Sequence, residues 1–219
     1  LVVREVVRAL RARYTAFLLR VEELVAMSDK GHAVSLFEEE IPGAPPLQWH
    51  FFARLDGPQW LPHLVNKELL RPPSFHAIST FPFGPWPAGS YLMRMATSAD
   101  YETRKKVLEA LRVSADAFRP DVRAIAIEIL TKLPPDESVR FSSTVTTWLD
   151  RDARYISTSG VERLVTQFAE AGYTAAALEI AAALLQLFDD AGDIATLYAR
   201  NMYEYALPKL SQTLASTCG

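Results

Sequence analysis

Residues 1–27 read LVVREVVRALRARYTAFLLRVEELVAM, and the apolar positions Val3, Val7, Leu10, Tyr14, Phe17, Val21 and Leu24 recur at alternating spacings of four and three. Side chains three and four positions apart share one face of an α-helix, so this spacing predicts a long amphipathic helix. Val6, Leu18 and Val25 widen the stripe. A coiled coil also shows such a seam, but it keeps a narrower one for longer. The broad stripe and the aromatic Tyr14 and Phe17 therefore favour packing against neighbouring helices. Ser28, Asp29, Lys30 and Gly31 end the helix near Met27.

Working outward, residues 31–46 carry the acidic run Glu38, Glu39 and Glu40, then Pro42, Gly43, Pro45 and Pro46. Proline lacks the backbone donor a helix interior needs, so this stretch reads as a linker or exposed loop and as the best domain boundary. The expected organisation is a long helix over 1–30, a linker over 31–46 and a helical domain over 47–219. That domain opens with a short apolar helix over 47–55. Asp56, Gly57 and Pro58 break it, and a second helix starts at Trp60. Pro72, Pro73, Pro82, Pro85 and Pro87, interleaved with Phe75, Phe81, Phe83 and Trp86, then make a stiff aromatic insert.

From Ala88 the chain alternates helical patterns with short breaks. Tyr91, Leu92, Met95 and Ala96 form one face, and Val107, Leu108 and Leu111 another. Val122, Ile125, Ala126, Ile129, Leu130 and Leu133 follow the spacing of a buried helical face, which Pro134 and Pro135 stop. Residues 139–148 are rich in Thr and Val and have strand character, but Phe141, Val145, Trp148 and Leu149 keep helical spacing. Ser159 and Glu162 have the spacing of a capping box ahead of Val161, Leu164, Val165, Phe168 and Ala169. Gly172 ends that helix. Thr174 opens the next, with Leu178, Ala181, Ala182, Leu185 and Phe188 as its expected inner face, and a last helix is expected over 194–207.

Composition bounds the function. The chain has 219 residues, 49% of them hydrophobic and 22% charged, with a formal net charge of −3, which gives no overall electrostatic case for nucleic acid or anionic lipid. The single cysteine, Cys218, cannot close an internal disulfide, which fits a reducing cytoplasm. With Leu1 in place of methionine and a helix pattern that starts at once, the expectation is a piece of a longer polypeptide or a chain numbered from its first ordered residue. Arg4, Glu5, Arg8, Arg11 and Arg13 interrupt any signal-peptide core. The most apolar stretch, 175–188, is short for a membrane span and contains Glu179 and Gln186.

Helix pairs at a regular pace, with no strand–helix alternation, are the pattern of α-helical arrays. HEAT, armadillo and tetratricopeptide arrays are of this kind, and Pro120, Asp121, Val122 and Arg123, followed by Ala126 and Leu130, resemble the second helix of a HEAT repeat. The resemblance implies a right-handed α-α superhelix of antiparallel helix pairs. It also implies a ladder-like structural role for Asp121 and Arg123 between successive repeats. Residues 161–188 are similar to a tetratricopeptide unit, with small residues where its helices cross. The insert at 72–87 has no counterpart in either family.

Chemical motifs are few. The 9 glycines form no phosphate-binding run, and His32, His50, His63 and His76 stand apart without metal-ligand spacing. Ser90 lacks the flanking glycines of a hydrolase elbow and reads as a helix cap. No catalytic residue, cofactor or metal is therefore expected. Two surfaces stand out as partner-binding candidates. Arg4, Arg8 and Arg11 share a helical face, with Arg13 and Arg20 nearby, that suits an acidic partner or a nucleic-acid backbone, the alternative being a solvated face offset by Glu5, Glu22 and Glu23. Phe81, Phe83 and Trp86 suit rigid anchors, the alternative being a loop folded over an apolar groove. The expectation is a cytoplasmic, bacterial protein-interaction scaffold that binds a protein partner or other domains of its parent and self-associates when isolated. The rival expectations are the regulatory arm of a multidomain NTPase or effector enzyme, and a nucleic-acid-binding helical protein.

Overall fold

The computed structural model describes residues 2–72, 86–114, 120–152 and 158–189, together with Gln212 and Ala215. Among these residues the protein is all-helical, without a strand. It divides into two compact units, Leu1–Ala110 and Leu111–Gly219, and the division falls inside a helix.

The first unit contains α1 (Val2–Ala26), α2 (Lys30–Glu40), α3 (Pro45–Arg54), a 3-10 turn (Pro58–Trp60), α4 (Leu61–Asn66), α5 (Gly89–Ala96) and most of α6 (Tyr101–Ser114). Helix α2 corrects the expectation of a linker. The Asp29 side chain caps it by accepting the His32 backbone N–H at 2.9 Å, and Ala33, Val34 and Phe37 bury its inner face. The acidic run is its last turn. The prolines act one step later: Pro42 follows the helix, while Pro45 and Pro46 occupy the first turn of α3, where a missing N–H costs nothing. Phe37 stacks on Phe51 with ring centroids 3.8 Å apart, and Phe51 meets Trp60 edge-on at 6.0 Å.

Long polar side chains close the helix ends around this core. Lys30 Nζ donates to the carbonyls of Val25 and Met27 at the end of α1 and lies 4.5 Å from the Trp60 ring centroid. Arg94 on α5 donates to the carbonyls of Phe52 and Leu55 at 2.7 and 3.0 Å, which terminates α3. The Tyr91 hydroxyl donates to the Gly57 carbonyl at 2.9 Å, and Gly57 makes the expected break with φ of +77°. Burial pushes the Tyr91 hydroxyl pKa up. Ser90 is not a cap: Ala88 holds that position, and the Ser90 hydroxyl donates to the Pro87 carbonyl.

The second unit contains α7 (Pro120–Leu130), α8 (Pro135–Ser138), a 3-10 turn (Val139–Phe141), α9 (Ser142–Asp152), α10 (Thr158–Glu170) and α11 (Thr174–Asp189). The Thr- and Val-rich stretch is helical. Thr146 and Thr147 donate their hydroxyls to the Ser142 and Ser143 carbonyls one turn back, which accommodates β-branched residues in α9. Helix α7 buries Val122, Ala126, Ile129 and Leu130 as expected, and Ile127 as well. The Asp121 side chain lies outside the described residues, and Arg123 is half-buried.

Helices α10 and α11 join through a turn in which the Gly172 N–H bonds to the Ala169 carbonyl and the Tyr173 N–H to the Phe168 carbonyl. Gly172 takes the positive φ of +84° that this termination requires. Helix α10 is described from Thr158, so Ser159 lies in the first described turn. Helix α11 packs on α9 and α10 through Ala177, Ile180, Ala181 and Leu184. That face is rotated from the expected one: Leu178 and Ala182 are exposed, and the side chains of Leu185 and Phe188 lie outside the described residues. Gln167 donates to the Leu133 carbonyl at 2.7 Å, and Arg163 pairs with Glu128. The helix expected over 194–207 lies outside the described residues.

Candidate interaction surface

The apolar stripe of α1 is buried only at its C-terminal end. Val21 and Leu24 are fully buried and Phe17, Leu18 and Val25 half-buried, whereas Val3, Val6, Val7, Leu10 and Tyr14 are exposed. Length explains this. The 25 residues of α1 extend about 38 Å, but the α2 and α3 helices packed on it have 11 and 10 residues, about 16 Å each. The expectation that the whole stripe packs on neighbouring helices is therefore corrected for residues 3–14.

Ion pairs line both sides of the covered end. On one side Arg20 grips Glu40 of α2 through two N–H···O bonds of 2.6 and 3.1 Å and also reaches Glu23 at 2.8 Å. This pairing raises the Arg20 pKa and holds the Glu40 carboxyl below the usual range. On the other side Glu22 receives His50 Nε2 at 2.8 Å and Arg54 Nε at 2.9 Å from α3. Glu38 pairs with Lys67 at 2.8 Å, so two of the three glutamates in the acidic run have cationic partners in this unit.

The uncovered end is different. Arg4, Arg8 and Arg11 are exposed along one flank, as expected, and among the described residues no carboxylate pairs with them. Arg13, on the other flank, lies with its guanidinium 5.6 Å from the Phe17 ring centroid. The aromatic candidate does not survive in full. Trp86 is fully buried and its Nε1–H donates to the Leu70 carbonyl at 3.0 Å, so it seals the core of its own unit and offers no anchor. Phe81 and Phe83 lie outside the described residues.

Sequence reading missed α2 and the Lys30–Trp60 contact. The signal for α2 was present in Asp29 followed by Ala33, Val34, Phe37 and Ile41, but the later prolines obscured it. Two of the histidines have close neighbours in this unit: His50 pairs with Glu22, and the His63 ring sits where a Cβ on Gly31 would come within 2.9 Å, while His76 lies outside the described residues. Among the described residues no three His, Cys, Asp or Glu side chains gather as a metal site would require, and no helix is long and apolar enough to cross a membrane. No protein-family model, curated protein or solved structure matches this chain.

Proposed function

We propose that this chain is a helical-repeat protein-interaction module, a HEAT-like α-α superhelix within a larger cytoplasmic bacterial protein. The observation that carries this reading is the outer half of α1, a rigid helix whose apolar stripe at Val3, Val7, Leu10 and Tyr14 stays exposed beside an arginine ridge. Exposed, contiguous apolar surface with a polar rim is the feature by which folded proteins bind one another. The antiparallel α10–α11 pair and the buried Val122, Ala126 and Leu130 of the HEAT-like stretch support the repeat architecture. In this reading the module binds and holds and does not catalyse.

The test is a photo-crosslinking residue at Leu10, on the stripe, or at Ala12, on the opposite side of the same helix. Each is incorporated into the full-length parent in its own cells. Leu10 is expected to give a discrete protein adduct, within the parent or with a separate chain, and Ala12 none. No adduct from Leu10, or the same adducts from both positions, removes the interaction reading.

A further inference from the structure

We infer that residues 3–14 of α1 dock one acidic amphipathic helix, its carboxylates seated on Arg4, Arg11 and Arg13. This rests on the interaction-module reading and adds the chemistry of the occupant. The chain supplies its own template. Arg20 lies seven residues, two helical turns, beyond Arg13, and it is met by a glutamate from α2. Glu22 lies eighteen residues, five turns, beyond Arg4, and it is met by the basic His50 and Arg54 of α3. Each helix packed on the covered end is therefore charge-matched to the flank of α1 that it faces. Along the exposed end the flanks are arginine on both sides, so the matching surface is an apolar stripe edged with carboxylates.

Other occupants fit less well. A second copy would set this segment, with four arginines and only Glu5 as an acid, against itself, and like charges would face each other. A membrane-surface helix keeps its basic residues on the face opposite the apolar one. Here that opposite face is Ala9, Ala12 and Ala16 with Glu5 and Arg8, while Arg4, Arg11 and Arg13 sit beside the stripe where a partner helix reaches them. Twelve residues offer a strip about 18 Å long and about 10 Å wide, on the order of 200 Å² and well short of the roughly 800 Å² per partner of a stable interface, so a transient, salt-sensitive complex is expected.

The experiment uses the whole chain and two fluorescein-labelled helical peptides of about three heptads, with leucine at the core positions and either glutamate or lysine at the flanks. Fluorescence anisotropy should show micromolar binding of the glutamate peptide, about tenfold or more tighter than the lysine peptide, and weakening as salt rises. The double variant Arg4→Glu/Arg11→Glu, which leaves Arg13 on the other flank, should abolish the preference. Leu10→Ser should weaken the glutamate peptide by about tenfold. These positions are exposed, so circular dichroism should be unchanged in every variant. Equal binding of the two peptides, no binding of either, or binding to phosphatidylserine vesicles in place of the glutamate peptide overturns the inference. An adduct from Leu10 in the crosslinking experiment alongside any of these results keeps the module reading and discards the acidic helix alone.

Discussion

Replacing Phe51 with alanine tests the first unit where its core is densest. Phe51 is fully buried, stacked on Phe37 at 3.8 Å and 14°, and edge-on to Phe52 at 5.5 Å and Trp60 at 6.0 Å. A buried Phe→Ala change costs about 3–5 kcal/mol through lost transfer energy and the cavity left behind. Each favourable ring pair adds about 0.5–1.5 kcal/mol beyond area, so the upper part of that range is expected, about 4–5 kcal/mol. A domain holds only about 5–15 kcal/mol in total, so Phe51→Ala should remove about a quarter or more of the unit's stability. With a urea dependence of about 1–3 kcal/mol per molar, the midpoint should fall by about 1.3 M or more. Tryptophan fluorescence in a Trp148→Phe background isolates the event, since Trp49, Trp60 and Trp86 all belong to the first unit. Leu19→Ala is the control, because Leu19 is 61% exposed and should change stability by no more than about 0.5 kcal/mol. If Phe51→Ala shifted the midpoint no further than Leu19→Ala, the account of this core as a stacked aromatic cluster would be wrong.

Two further outcomes follow from single positions. Gly57→Ala should destabilise the first unit by about 1–3 kcal/mol, since its φ of +77° suits only glycine and an added Cβ would meet the Gln59 side chain. Gly43→Ala, which meets nothing within 4 Å, should be neutral or slightly stabilising in the same urea melts, and equal costs at both sites would contradict the backbone argument. Asp100 accepts the Thr103 hydroxyl at 2.6 Å and its backbone N–H at 2.9 Å, which holds the Asp100 carboxyl below the usual range. A depressed folded-state pKa contributes stability above the unfolded aspartate value and loses it as pH falls through the folded value. The advantage of wild type over Asp100→Asn in thermal midpoint should thus be constant from neutrality to about pH 5 and fade at lower pH. A difference that persisted unchanged into acid would count against the titrating cap.

Much of the helix inventory was legible because its cause is local. Spacings of three and four placed α1, α7, α9 and α10, and Gly57 and Gly172 marked breaks that only their conformational freedom allows. Local pattern misled where two signals lay close together. The prolines at 42, 45 and 46 suggested an open linker, yet they flank helices that Asp29 and Phe37 had already specified. In the alanine-rich α11 nearly every face is apolar, so periodicity alone had little power to choose between Leu178 and Ile180 as the inward residue.

The sequence by itself determined that the chain is helical, which faces of most helices are apolar, and that arginines edge the stripe of α1. Which part of that stripe is covered was decided only in three dimensions. Val3 and Leu10 repeat the same pattern as Val21 and Leu24, and nothing in periodicity separates them. Burial depends on where the short helices α2 and α3 end, and they cover α1 only near Arg20 and Glu22. The same holds for Trp86, whose aromatic bulk marks it equally as anchor or core. It lies in the core because its indole N–H, which must find an acceptor when buried, meets the Leu70 carbonyl sixteen residues away.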